Sequence, residues 1–413
     1  MSKKGYVFRR ILFVMLLIFS ISWSETGIRV QAEEAPRETE LFAKGAVLLD
    51  ADSGRVLYGK NENLSMPMAS TTKIMTLIVV LENANLQDVV TVSANAAKQP
   101  KVHLGMRAEQ QFKLLDLCYS LMLESHNDSA VALAEHVGGS VEEFARMMND
   151  KARDLGCTHT YFITPNGLDA KVATAQGEKV HSTTARELAL ILRYCIGISP
   201  CRDTFLEITR TGSYSFTDIS GKSSYSCNNH NAFLQMMDGA LTGKTGFTNN
   251  AGYCYVGALK RDDRTYIVAL LACGWPNNKT YKWKDTRRLM EYGIDHFAYR
   301  QVYEKRTEFP AIPVINGCMV KEGQEKLWDT AQVQPYMKED SLKVLLSSEE
   351  QVEIQYELKE SLTAPVEQGE IIGKAEYYLN GKKINCFPVY SGNKVVTFSL
   401  KLCIKEIQKR FLL

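Results

Sequence analysis

Three scarcities in this chain each remove a class of answers. Charge imbalance is the first: 49 Lys and Arg face 47 Asp and Glu over 413 residues, a formal net charge of +2. No bulk attraction to nucleic acid follows from that balance, so partners must be read from individual sites. Paired cysteine spacing is the second. Ten cysteines lie scattered from Cys118 to Cys403 without pattern, and a chain this long needs no disulfide staples, so they read as buried thiols. Cys157 and His159 in "GCTHT" have no second pair at zinc spacing, so no metal site is read there. Long apolar runs are the third. The strict run "ILFVMLLIF" near the N-terminus is shorter than the ~20 residues of a spanning helix. No internal repeat or low-complexity segment stands out either.

What is present begins with that N-terminus. Lys3, Lys4, Arg9 and Arg10 precede the apolar run, and "VQA" ends at Ala32 just before "EEAPRE". This is the pattern of a secretory signal peptide over residues 1–32, and it predicts export. A hydrophobic fraction of 45% then supports a substantial core. "GAVLLDADSGRVLYG" has two apolar runs around a turn, and "AGYCYVGAL" and "TYIVALLAC" flank the charged turn "KRDDR". Both read as hairpins, with mostly helical sequence between them. In that sequence Ser140 and Glu143 form a capping box and Gly156 ends the helix they start. Strands at both ends with helices between predict one α+β unit whose terminal strands share an antiparallel sheet, over residues 33–303. After "WKDTRRLMEYGIDHFAYR", a closing amphipathic helix, the texture changes at "FPAIPVING"; short β-type runs and an Asn-Gly turn predict a small all-β domain over residues 304–396.

The tail from Thr397 to Leu413 reads two ways. Phe398, Leu400 and Leu402 alternate with polar residues as in a strand, whereas Leu400, Cys403, Ile404, Ile407 and Phe411 share one helical face opposite Lys401, Lys405 and Lys409. The helical form is a basic amphipathic segment suited to a membrane surface.

"MPMASTTKIM" sets Ser70 and Lys73 one turn apart, after Pro67 and at the head of the apolar run "IMTLIVVL". A desolvated lysine near other cations favours its neutral form and can accept a serine proton, so the pair reads as a nucleophile with its base. Alone, S-x-x-K is common and also fits a helix cap with a snorkelling lysine. Two more elements lift it above that: Ser125-His126-Asn127 between two helical runs, and Lys244-Thr245-Gly246 leading into the second hairpin. S-x-x-K, S-x-N and K-T-G in that order are the signature set of penicillin-binding proteins and serine β-lactamases.

From Lys44 onward the chain resembles the low-molecular-mass penicillin-binding proteins of the D-alanyl-D-alanine carboxypeptidase type. "NDSAVALAEHVG", "TPNGLD", "HSTTARELALI" and "NHNAFL" carry the likeness beyond the three motifs. The resemblance implies a β-lactamase/transpeptidase-like fold, no cofactor or metal, and substrates that are peptidoglycan stem peptides ending in D-Ala-D-Ala, with β-lactams as covalent ligands. It implies Ser70 as nucleophile, Lys73 as proton acceptor and Ser125 as a relay bridging Lys73 and Lys244. Asn127 would hold the substrate amide, Lys244 and Thr245 would bind the terminal carboxylate, and the N–H groups of Ser70 and Phe247 would form the oxyanion hole. It also implies work at the outer face of the cytoplasmic membrane, with the tail as tether. Two residues depart from the family's habit: His126 stands where a small residue is usual, affecting the cleft wall, and Phe247 where His or Tyr is common.

Rival readings are few. A class A β-lactamase needs E-x-x-L-N between S-x-N and K-T-G, but "EYYLN", Glu376 to Asn380, comes after K-T-G in the β domain. "GALTGKT" fails as a P-loop because its first glycine is one residue too close and a strand follows. A D,D-endopeptidase and a silent penicillin-binding sensor would use the same motifs. His181 in "VHSTTARE" is a tempting general base, but its place just before N-cap residues favours a structural role.

Overall fold

Strands that are apolar at every position, with no polar alternation, belong in a sheet covered on both faces. In the computed structural model, which describes residues 35–175, 177–319 and 331–411, five strands build one antiparallel sheet, whose central three carry buried, mainly apolar runs while its two edge strands include Lys60, Thr242, Lys244 and Thr245. The five are β1 (Gly45–Asp50), β2 (Val56–Lys60), β3 (Ala240–Thr248), β4 (Gly252–Arg261) and β5 (Arg264–Leu271), in the order β2-β1-β5-β4-β3. The expected leader over residues 1–32 lies outside the described residues. β1 pairs with β5 from Gly45↔Leu271 to Asp50↔Tyr266, so the two distant hairpins share one sheet as the sequence predicts. Successive side chains leave opposite faces. Val47 and Leu49 join the large core under the helices, whereas Ala46 and Leu48 join the core under the closing helix, where Leu289 and Met290 also lie.

The first core surrounds α1 (Lys73–Asn83), whose residues from Lys73 to Leu81 are all buried. Ser70 is not in this α-helix. It belongs to a tighter 3-10 turn over Ala69–Thr72 that feeds it. Around α1 pack α2 (Leu114–Leu123), α3 (Asn127–Gly138), α4 (Val141–Asp154) and α5 (Ala185–Arg193). Ser140 caps α4 by accepting from Glu143 N, but the Glu143 carboxylate turns to Arg146, so the box is half formed. α6 (Tyr281–His296) covers the other face.

The second unit is made of strands. Four of them form its largest sheet, including Val352–Leu358, Ile371–Leu379 and Lys382–Ser391. "EYYLN" runs along its central hairpin: Asn380 and Gly381 take φ 52 and 73 in the turn, and Glu376 pairs with Lys374 and Lys383. The strand Ala298–Gln301, before the expected boundary, pairs with Lys343–Leu346 beyond it. Arg55 in the first unit also meets Glu350 in the second at 2.6 Å. The tail resolves in favour of the helix. Val396–Thr397 is a short strand, and α7 (Leu400–Phe411) follows, with Leu400, Ile404 and Ile407 exposed at 76%, 49% and 45%. The side chains of Lys409 and Phe411 lie outside the described residues.

Candidate active site

The edge strand β3, the Ala69–Thr72 turn and the head of α3 enclose a cleft of about 550 Å³, lined among others by Ser70, Ser125, Asn127, Lys244, Thr245 and Phe247. Of the residues singled out by the three motifs, all but His126 line it or, like Lys73, lie directly behind it.

Lys73 is fully buried. Its Nζ contacts Ser70 Oγ at 3.0 Å and donates to Asn127 Oδ1 at 2.9 Å and to the backbone carbonyl of Asn166 at 2.8 Å. Two carbonyl acceptors take two of its hydrogens. The remaining position faces Ser70 Oγ, as a hydrogen when the amine is charged and as a lone pair when it is neutral. Burial first, and then the charge of Lys244, push the Lys73 pKa well below the ordinary lysine value, against a smaller opposing pull from Asp128. Lys244 is also buried, which pushes its own pKa down to about 7; its Nζ donates to the Thr245 carbonyl at 2.8 Å.

The strand register explains why Phe247 is useful. Tyr253, its partner on β4, gives its N–H to Gly274 and takes a bond from Cys273, both on the far side. Antiparallel partners exchange both bonds or neither, so the Phe247 N–H is released from the ladder and points off the edge of the sheet into the cleft. Gly246 is needed because a Cβ there would stand 2.8 Å from Ser70 N and 3.0 Å from Thr71 N.

Three residues sit differently from expectation. Ser125, at φ 67 between α2 and α3, has a buried Oγ without a hydrogen-bond partner; the bridge from Lys73 to Lys244 is not formed in this structure. Asn127 spends both ends of its amide within the protein, on Lys73 and, through Nδ2, on the Pro100 carbonyl at 3.1 Å. His126 turns inward, with Nδ1 2.8 Å from Ser120 Oγ, and does not form the cleft wall.

Sequence reasoning missed the Asn166 carbonyl, which accepts from both Ser70 Oγ (3.3 Å) and Lys73. A backbone group carries no residue-type signal, although "TPNGLD" was visible. It also missed Asp128, whose buried carboxylate accepts from the N–H groups of Leu104, Gly105 and Met106 and so fastens the 101–106 segment, where Lys101 and Val102 line the cleft. His181 lies outside the cleft, buried behind the catalytic turn.

Comparison with known proteins agrees with this geometry. The family described as D-alanyl-D-alanine carboxypeptidase matches residues 30–273, and the one described as penicillin-binding protein 5, C-terminal domain, matches residues 297–397. D-alanyl-D-alanine carboxypeptidase DacF of Bacillus subtilis is 24% identical over 92% of this chain and 93% of its own length. DacC of Escherichia coli is 28% identical over 87% and 85%. An E. coli D-alanyl-D-alanine endopeptidase is 27% identical over 60% of this chain and 77% of its own. The crystal structure of penicillin-binding protein 5 from Haemophilus influenzae superposes with a TM-score of 0.64 at 26% identity, covering 88% of this chain and all of that one. This chain belongs to the D-alanyl-D-alanine carboxypeptidase family, the serine peptidases among the low-molecular-mass penicillin-binding proteins.

Proposed function

We propose that the cleft removes the terminal D-alanine of peptidoglycan stem peptides through an acyl-enzyme on Ser70. The observation that carries this reading is the Lys73 amine, buried, held by two carbonyls and 3.0 Å from Ser70 Oγ. Neutral Lys73 takes the serine proton as Ser70 attacks the carbonyl between the two D-alanines. The N–H groups of Ser70 and Phe247 stabilise the developing oxyanion, each donor contributing about 3 kcal/mol. Ser125, whose hydroxyl is unpartnered, passes the proton to the leaving amine as substrate fills the cleft. Lys244 and Thr245 bind the free terminal carboxylate, and Asn127 holds the substrate amide with the Nδ2 hydrogen not given to Pro100 while its Oδ1 keeps Lys73 in place. Water then attacks the ester, with the same lysine as base, and frees Ser70.

Purified protein given diacetyl-Lys-D-Ala-D-Ala should release D-alanine and take one covalent fluorescent penicillin, and Ser70→Ala should lose both. Labelling without release would turn the reading to a sensor, and rapid penicillin turnover to a β-lactamase.

The site is proposed to work outside the cytoplasmic membrane, with α7 lying on the membrane surface. Leu400, Ile404 and Ile407 are exposed, with Lys401 and Lys405 also exposed on the helix; no helix among the described residues is long and apolar enough to cross a membrane. Protein lacking residues 1–32 should sediment with anionic vesicles at low salt. Ending the chain after Leu400 should leave it in the supernatant with D-alanine release intact; an intact chain that ignores vesicles would sink this assignment.

A further inference from the structure

His181 touches nothing in the cleft, yet both its ring nitrogens are committed to the back of the catalytic turn. The N–H groups of Ile163 and Thr164 donate to Nδ1 at 2.9 and 3.3 Å, which puts the ring proton on Nε2. That proton goes to Thr72 Oγ1, 2.8 Å away. The Thr72 hydroxyl in turn donates to the Ala69 carbonyl at 2.7 Å. His181, Thr72 and Ala69 are 2%, 0% and 1% exposed, so water does not compete for any link. Burial also keeps the imidazole neutral, with its pKa pushed down to about 4, and so preserves Nδ1 as an acceptor.

The chain of donors ends on an informative atom. The Ala69 carbonyl and the Ser70 N–H belong to one rigid, planar peptide unit. Ala69 itself is left-handed at φ 48, a conformation that a residue with a Cβ keeps only when its surroundings hold it there. A bond accepted by the carbonyl therefore aims the N–H on the other side of the same unit, and polarises it as a donor.

We propose that His181 is a positioning residue for acylation: through Thr72 it fixes the Ala69–Ser70 peptide so that the Ser70 N–H points at the substrate oxyanion. The proposal rests on reading that N–H as an oxyanion donor, and the test separates the two ideas. The protein is acylated with a penicillin carrying a ¹³C β-lactam carbonyl, and the ester band is read by infrared difference. In the unmodified sequence the band should lie below that of the same acyl-protein after denaturation; if it does not, the oxyanion reading falls and this proposal with it.

With the band lowered, Thr72→Val decides the matter. It removes the link while keeping the imidazole and nearly the same volume, so it remains informative where His181→Ala fails to fold. The band should move toward the denatured position, and acylation should slow about tenfold or more, while KM for the tripeptide changes less than about threefold. His181→Gln, whose carboxamide has one acceptor and one donor, should recover most of the rate. An ester band that stays put in Thr72→Val, or a folded His181→Gln as slow as His181→Ala, would overturn the proposal.

Discussion

Lys73→Arg should label with fluorescent penicillin about 10³-fold more slowly than the unmodified protein, because general-base catalysis is typically worth 10²–10⁴ and a guanidinium stays charged at any working pH. The site makes the loss specific. Two carbonyls already occupy two positions of the amine, so the atom facing Ser70 must be a lone pair for the proton to move. Lys244→Arg keeps a cation for the carboxylate and should cost roughly tenfold, mostly in KM. Circular dichroism controls for folding, and equal losses in the two variants would dissolve the division of labour.

The same electrostatics fix the sign of the pH dependence. Lys73 works when neutral, so acylation at saturating substrate rises as pH climbs through its depressed pKa. Lys244 works when charged and is held near about 7 by burial, so substrate capture by the free enzyme weakens above that pH. The charge on Lys244 helps keep Lys73 neutral. Lys244→Gln should therefore raise the Lys73 pKa and move the acidic limb to higher pH. Movement the other way, read from labelling rates at saturation, would contradict the coupling.

What could be read beforehand divides by range. The hairpins, the buried α1 and the Ser70–Lys73 turn are local patterns, written in spacings of two, three and four residues, and these were legible. So was the placing of Ser125 between helices and of K-T-G on a strand, because motif and periodicity pointed the same way. Contacts made by backbone groups were not. The Asn166 carbonyl holds Lys73 across 93 positions of sequence, and no residue type announces it. The pairing of Ala298–Gln301 with Lys343–Leu346 was invisible for the same reason: a short edge strand reveals its partner only in three dimensions. The tail was ambiguous because one segment satisfied both periods. The family resemblance implies a bridge through Ser125 that this structure does not make, since a shared motif reports which residues gather at a site and not which rotamer each adopts.

Gly167→Ala should cost more activity than any other single methyl group added near the cleft. Gly167 has φ +83, and a Cβ there would stand 2.5 Å from the Ala69 carbonyl carbon, closer still to its oxygen, and 2.9 Å from Thr72 Oγ1. Those atoms are backbone and buried hydroxyl with no free space to enter, so the Ala69–Thr72 turn must move, and Ser70 moves with it. The left-handed backbone alone costs an alanine about 1–2 kcal/mol, and the displaced turn adds to that. Gly139 separates the two contributions. It has φ +77 at the end of α3, and a Cβ added there would meet nothing within 4 Å, so Gly139→Ala bears the conformational cost without the collision. Both variants should melt earlier, Gly167→Ala by the larger margin. Only Gly167→Ala should lose penicillin labelling, by about 10²-fold, because a misplacement of about 1 Å costs that much in a pre-organised site. If Gly167→Ala labels at the rate of Gly139→Ala, the turn tolerates displacement and its rigidity is not what arms Ser70.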